Sequence, residues 1–331
     1  MSATINLEKK HFPVLLDELI KIISPRYGGT FLDCTFGAGG YSEKILEDSR
    51  NKVIAVDRDI KTKKLFELFK RKFKERFEFH HKRFSEIENI DTRNIKAIIF
   101  DLGYSIEQIF DQEKGLSFNS KGKLNMKIGL NSFSAHDVVN KLDKEELAKI
   151  FKYFGDEKYS RKISQSIINK REQHYLSTED LVNLINKIKK NYNFKINKST
   201  KIFQSLRIFV NQEVSELIYG LINAYKLMPI DSYIVVVTFH SLEDRIVKFF
   251  FKNYSDKKNS SRYAPSIEKN NCLKLENNKP IIPSADEIKI NPASRSAKLR
   301  YAIKTNENDN FDELHEKFNY LIETENLNYI S

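Results

Sequence analysis

The sequence predicts an α/β fold: a parallel, doubly wound sheet interrupted by an all-helical insertion. Over the first hundred residues, short apolar runs at 30–35, 52–57, 77–80 and 97–102 alternate with amphipathic helical patterns, the signature of βαβ units. Strand signals then vanish from about 134 to 198 and return as Tyr233-Ile-Val-Val-Val-Thr-Phe239, with 296–304 as a closing strand.

Each element has a local reason. Residues 13–23 place Leu15, Leu16, Leu19, Ile20 and Ile23 at helical spacing, and 61–74 is a basic helix. In the strandless stretch, 142–151, 161–171 and 178–190 read as successive amphipathic helices, the last opened by the cap residues Ser177-Thr178-Glu179-Asp180. A long helix is expected over 200–227. Residues 255–278 are Lys-, Asn- and Ser-rich and read as a mobile loop, and 306–331 is an acidic tail able to form a surface helix. The expected divisions are 1–132 and 201–305 for the α/β domain, 133–200 for the insertion and 306–331 for the tail.

With 331 residues and 40% hydrophobic content, the chain can bury a sizeable core. A net charge of +11 favours a polyanionic partner such as nucleic acid. The Lys-, Asn- and Ile-rich composition throughout discounts that inference. Cys34 and Cys272 are too few for a disulfide framework or a Cys-rich zinc site, and no metal is expected. No apolar run spans a bilayer and residues 1–10 lack a leader's apolar region, so a soluble cytoplasmic protein is expected, without a membrane partner.

The chemistry gathers at strand ends. Asp33-Cys-Thr-Phe-Gly37-Ala-Gly39-Gly40-Tyr41-Ser42 reads as a strand that breaks into a glycine turn and opens a helix, and Asp57 ends the next strand. A Gly-rich first turn with an acid one unit later can hold an adenosine, the carboxylate accepting from ribose hydroxyls. The dinucleotide fingerprint wants a sixth-position Gly where Ser42 stands, and no phosphate-cradling Gly-Lys-Ser/Thr follows. The pattern therefore favours an adenosine without phosphate, such as S-adenosylmethionine; a plain tight turn stays open. Asp101-Leu-Gly103-Tyr104 follows the fourth strand, where ligand crevices form. Methyltransferases acting on exocyclic amines place Asp/Asn-Pro-Pro-aromatic there, since an acceptor in line with the donor helps the nitrogen pyramidalise. This chain keeps the acid and the aromatic without the prolines; a strand-end cap is the alternative. His240-Ser-Leu-Glu-Asp-Arg245 lacks a nucleophile elbow and reads as a helix start capped by Ser241, with His240 facing the pocket. Arg295, Lys298 and Arg300 suit phosphate contact or a solvated strand edge equally.

In order along the chain, His11-Phe-Pro-Val-Leu-Leu16, Asp33 to Gly40, Val56-Asp-Arg-Asp59, Asp101-Leu-Gly103, Phe203-Gln-Ser-Leu-Arg-Ile208, Phe239 to Arg245 and Asn291 to Arg300 resemble the ribosomal RNA small subunit methyltransferase H family up to about residue 303. The resemblance implies a class I (Rossmann-like) S-adenosylmethionine-dependent methyltransferase sheet with the helical insertion. It implies methylation of the N4 amine of a cytidine in the decoding centre of 16S ribosomal RNA, with the RNA held within the small ribosomal subunit and a homodimer compatible. It assigns the cofactor to Gly39, Gly40 and Tyr41, beside the Gly37 of the glycine pattern, the ribose to Asp57, the adenine to Phe84, and completes the pocket with Asp101 and Gln108. Asp101 is the expected catalytic group, with Ser105 and Asn125 as further substrate-side candidates. The chain departs from the family at Tyr41, where His is usual, at Ile106-Glu107, where Ser-Pro is, and at Asn125, where Asp is. Methylation of another nucleic-acid amine, an inactive cofactor-binding assembly factor and a nicotinamide dehydrogenase are the competing functions.

Overall fold

The computed structural model describes residues 13–59, 62–91, 94–104, 108, 111, 114–118, 120, 123–129, 131–190, 197–255 and 271–327. The chain divides into two compact units, 1–105 with 220–310 and 106–219 with 311–331. The whole of 133–200 falls in the second.

The first unit is the expected α/β sheet. Strands β1 (Gly29–Asp33), β2 (Asn51–Asp57), β3 (Phe77–His81), β4 (Ile95–Asp101), β5 (Tyr233–Thr238), β6 (Leu273–Lys274) and β7 (Lys298–Lys304) run in the order β3-β2-β1-β4-β5-β7-β6. β1 to β5 are parallel, with Leu32 opposite Ile54 on one side and Ile98 on the other. β7 turns antiparallel between β5 and β6, a pairing direction its sequence does not encode. The seven-stranded α/β sheet is of the Rossmann-like type that the sequence predicts. Ile98, Ile99, Phe100 and Val235 to Val237 are fully buried, as strands covered on both faces must be. Alternate residues of the strands (Phe31, Val53, Ala97, Ile99, Val235) share one cluster with Leu19, Ile45, Phe69 and Phe73 of α1 (Leu16–Ile23), α2 (Gly40–Leu46) and α3 (Lys63–Phe73). α1 is shorter than expected. Leu15 adopts a left-handed φ of 55°, so Val14 and Leu15 form a turn ahead of the helix.

The second unit is helical among its described residues: α4 (Ala135–Lys141), α5 (Lys144–Tyr153), α6 (Ser160–Arg171), α7 (Thr178–Ile188) and α8 (Thr200–Asn211). α4, α5 and α7 each begin with a capping box, Ser134/Asp137, Asp143/Glu146 and Ser177/Asp180, the last at the expected place. Just past α7, Lys189 donates from Nζ to Glu157 Oε2, in the turn between α5 and α6, at 2.6 Å and to the Lys198 carbonyl at 2.8 Å, and both side chains of the ion pair are 3% exposed.

The single long helix expected over 200–227 is two helices. Gln212 turns left-handed (φ 51°) after α8, and α9 (Glu213–Leu227) starts afresh, spanning the 219/220 division. The cause lies more than a hundred residues away in sequence. Glu325 accepts from the Val214 and Ser215 amides at 2.8 Å each, which satisfies two donors that a helix start leaves open. Glu325 ends α12 (Asp312–Glu325), whose Leu314, Phe318, Leu321 and Ile322 are buried. The acidic tail is thus a packed helix of the second unit. Burial pushes the Glu325 carboxyl up to about 8, against the pull of its bonds to Ser215 and Val214; Glu325→Ala should destabilise that unit by about 1–3 kcal/mol, the cost of leaving two buried amides without their acceptor, and urea unfolding of the full chain measures it.

Of the mobile-loop reading, 256–270 lie outside the described residues; 271–278 contain β6. α10 (Ser241–Asn253) and the short α11 (Ala285–Ile290) complete the first unit. No helix among the described residues is long and apolar enough to cross a membrane.

Candidate active site

The site forms where β1, β2 and β4 end side by side. Beyond β1 the backbone turns back on itself, the Phe36 amide donating to the Val56 carbonyl (3.0 Å) and the Gly39 amide to the Phe36 carbonyl (2.7 Å). Gly39, left-handed at φ 75°, then opens α2. The Pro13 ring lies on the bare face of Gly40, where a Cβ would overlap it. Asp57 joins the turn: its Oδ2 accepts from the Gly37 amide and its Oδ1 from the Asp59 amide, both at 2.7 Å. Asp101 is fixed from the same turn, its amide donating to Thr35 Oγ1 at 2.6 Å and its Oδ1 accepting from the Gly103 amide at 3.2 Å. A Cβ on Gly103 would come within 2.7 Å of the Phe239 ring, so this close return needs glycine.

Behind the turn sits a carboxylate that the sequence did not single out. Asp33 is fully buried, its Oδ2 accepting from Ser42 Oγ at 2.6 Å and its Oδ1 from the Thr35 amide at 3.2 Å. Burial pushes its pKa up to about 6, against the pull of those two hydrogen bonds and with the Asp57 charge adding to the rise. Burial likewise raises Asp57, opposed by the Asp59 and Gly37 amides. Asp101 reaches about 7: burial dominates, the Gly103 amide opposes it, the Asp33 charge adds to it, Tyr41 opposes it and Glu243 adds again. The result is a cluster of acids around a backbone turn, an environment that attracts a cation and repels a phosphate.

The remaining candidates fall as follows. Phe84 begins a short turn after β3, edge-on to Phe100 of β4 (5.4 Å between ring centres) and against Gly220 of α9. Tyr41 is only 4% exposed, so its side chain points into the unit; its hydroxyl donates to the Val14 carbonyl. Gln108 and Asn125 belong to the second unit, and Ser105 lies outside the described residues, as do His11 and Glu107. Asn125 sits beside Met126, held left-handed at φ 58°, and its Oδ1 is buried with no hydrogen-bond partner among the described residues. Asn211 secures that loop, donating to the Met126 carbonyl at 2.9 Å and accepting from the Ile128 amide at 3.0 Å.

One expectation is corrected. The residue that caps α10 is His240, not Ser241: its Nδ1 accepts from the Glu243 amide while Glu243 Oε2 accepts from the His240 amide. Lys298 and Arg300 both pair with Asp244 at 2.7 Å. Asp33, Thr35 and Ser42 were missed because a polar side chain at a strand end or in a first helical turn looks like ordinary capping. Their only signal was being polar inside an apolar run.

The family model for the MraW methylase family matches residues 8–305. A protein of Rickettsia akari named Ribosomal RNA small subunit methyltransferase H is 40% identical over 300 residues, covering 89% of this chain and 98% of its own. Its namesake in Ehrlichia canis is 39% identical over 301 residues, covering 89% and 99%. Among solved structures, an rRNA methylase from Streptococcus thermophilus aligns over 87% of this chain and 95% of its own, with 8% identity and a TM-score of 0.40, a likeness too distant to carry weight.

Proposed function

This chain belongs to the MraW methylase family, and from that premise we propose that it transfers a methyl group from S-adenosylmethionine to the N4 amine of a cytidine in the decoding centre of 16S ribosomal RNA. The observation that carries the cofactor is the acid cluster formed by Asp33, Asp57 and Asp101 around the glycine turn, which suits a cationic sulfonium and disfavours the pyrophosphate of a dinucleotide. The substrate is carried by the printed names of the relatives. A cytoplasmic location, where small subunits are assembled, goes with it.

S-adenosylmethionine, when bound, supplies an electrophilic methyl group, so no metal is required. Asp57 would take the ribose hydroxyls on the lone pairs its two amide bonds leave free, Phe84 would meet the adenine, and Gly37, Gly39, Gly40 and Tyr41 would contribute backbone. Gln108 is assigned to the same pocket. Asp101 does the chemical work of this chain: its carboxylate accepts a proton of the amine, which localises the nitrogen lone pair for attack. Ser105 and Asn125 are proposed for the substrate side, the unpartnered Asn125 oxygen being an acceptor in want of a donor.

Mass spectrometry of 16S RNA from a deletion strain tests this reading; an undiminished N4-methylcytidine content would sink it. Tritium transfer from labelled cofactor to small subunits separates an enzyme from a binding-only assembly factor, which gives no counts. Asp57→Ala should weaken cofactor binding by roughly 1–3 kcal/mol, as expected when hydrogen bonds to a charged acceptor are lost. Titration calorimetry reads it, and unchanged affinity would remove Asp57 from the pocket.

A further inference from the structure

Thr35 stands half-buried just past the end of β1, where the chain enters the glycine turn. Its amide donates to Asp33 Oδ1 at 3.2 Å, and its Oγ1 accepts from the Asp101 amide at 2.6 Å. The hydroxyl still has a proton of its own. The neighbouring hydroxyl, Ser42, spends its proton on Asp33 Oδ2 at 2.6 Å, whereas that of Thr35 meets no acceptor among the described residues. An oxygen that already accepts a short bond is a stronger donor, and that bond restricts how the hydroxyl can turn. Residues 33–42 carry no Lys, Arg or His; the nearest cation in sequence, Arg58, adjoins Asp57 on the β2 side.

We propose that Thr35 binds the α-carboxylate of S-adenosylmethionine, its hydroxyl donating to the carboxylate while its oxygen keeps the Asp101 amide. The inference rests on the proposed cofactor. That molecule carries two cations, the sulfonium and the ammonium, and one carboxylate that stays ionised at neutral pH. The acids of the turn suit the cations. The carboxylate, brought among like charges with no cation on the turn, has to be met by neutral donors. Strand order supplies the second argument. Adenine, ribose and amino acid follow one another along the cofactor, and Phe84, Asp57 and Thr35 follow one another past the ends of β3, β2 and β1, which are neighbours in that order. The next strand, β4, ends in Asp101. One hydroxyl therefore holds the amino-acid end of the cofactor and the backbone of the acid proposed to meet the amine.

Titration calorimetry on the full chain tests this with two ligands, S-adenosylmethionine and its decarboxylated form, which keeps the adenosine and both cations. Thr35→Val removes the hydroxyl at nearly constant volume. It should weaken S-adenosylmethionine roughly tenfold to a hundredfold more than the decarboxylated ligand, the loss expected for one hydrogen bond to a charged group. Thr35→Ser keeps the acceptor and the proton, and should bind both ligands within about threefold of the unmodified protein. A methyl in place of the hydroxyl would crowd the Asp101 amide, so Thr35→Ala repeats the comparison without that strain and should show the same selective loss. A loss shared equally by both ligands in Thr35→Ala would overturn the proposal, because the hydroxyl would then act only through Asp101 or the fold. Undiminished affinity for S-adenosylmethionine in that variant would overturn it too. Failure of the unmodified protein to bind either ligand is a distinct result: it removes the cofactor reading itself, and the role of Thr35 with it.

Discussion

Asp101→Asn is expected to lower kcat by roughly 10²–10⁴, the range that a positioned proton acceptor contributes, with a smaller loss of cofactor affinity as one charge of the acid cluster goes. Asn keeps the acceptor for the Gly103 amide and the shape of the turn, so the loss isolates the charge. In the unmodified protein the rate should fall as pH drops through about 7, because protonated Asp101 cannot accept from the amine. The stability prediction runs the other way. A folded-state pKa of about 7 against an ordinary 3.8 means that the folded chain holds this proton more tightly than the unfolded one. The group's contribution is fully present below 3.8 and is lost as pH rises through 7. Above neutrality the folded chain carries a buried, crowded charge that Asn would remove. Asp101→Asn should therefore be more stable than the unmodified protein at alkaline pH, by about 1–3 kcal/mol. Single-turnover methyl transfer measures the first effect, and urea unfolding across pH the second. A variant that is both inactive and less stable at alkaline pH would mean Asp101 serves the fold.

The largest stability loss is expected in the second unit. Lys189→Met removes the partner of Glu157, leaving a carboxylate buried at 3% exposure whose one other partner among the described residues is the Tyr159 amide at 2.9 Å. Breaking one side of a buried pair costs about 3–5 kcal/mol, whereas replacing both sides with apolar residues of similar volume is near neutral. The double change Lys189→Met with Glu157→Leu should accordingly recover most of the loss in urea unfolding. If the single change costs under about 1 kcal/mol, the pair is solvated in solution and behaves as a surface bridge.

Much of the first unit was legible because its strands are apolar runs of ordinary length bounded by glycine and by acids. Residues 52–57, 97–102 and 233–239 needed no tertiary knowledge. The helical caps at Ser177 and Asp180 were legible for the same local reason. The break at Gln212 was not, since nothing in Asn211-Gln212-Glu213 disfavours a helix and the cap comes from Glu325. Nor was the antiparallel direction of β7, because a period-two pattern reads alike in both directions. At the site, Gly37, Asp57 and Asp101 could be picked from position on the strands alone. The role of Asp33 could not, because only burial distinguishes it from a solvated strand-end acid. The basic cluster at Lys298 and Arg300 stayed ambiguous for a similar reason: its ion-pair partner, Asp244, is distant in sequence.

The interleaving of the two units fixes when each can be completed during synthesis. Residues 106–219 leave the ribosome about a hundred residues before α12, which at 5–20 residues per second is a wait of roughly 5–20 s. Throughout it the Val214 and Ser215 amides have no Glu325 to meet. The sheet waits as well, since β1 to β4 are made long before β5 and β7. A message cut short anywhere before residue 298 therefore yields neither unit whole. Expression of this protein is in that sense all or nothing: the nascent chain is a client for chaperones until nearly its last helix, and no shortened product can be expected to bind cofactor or subunit on its own.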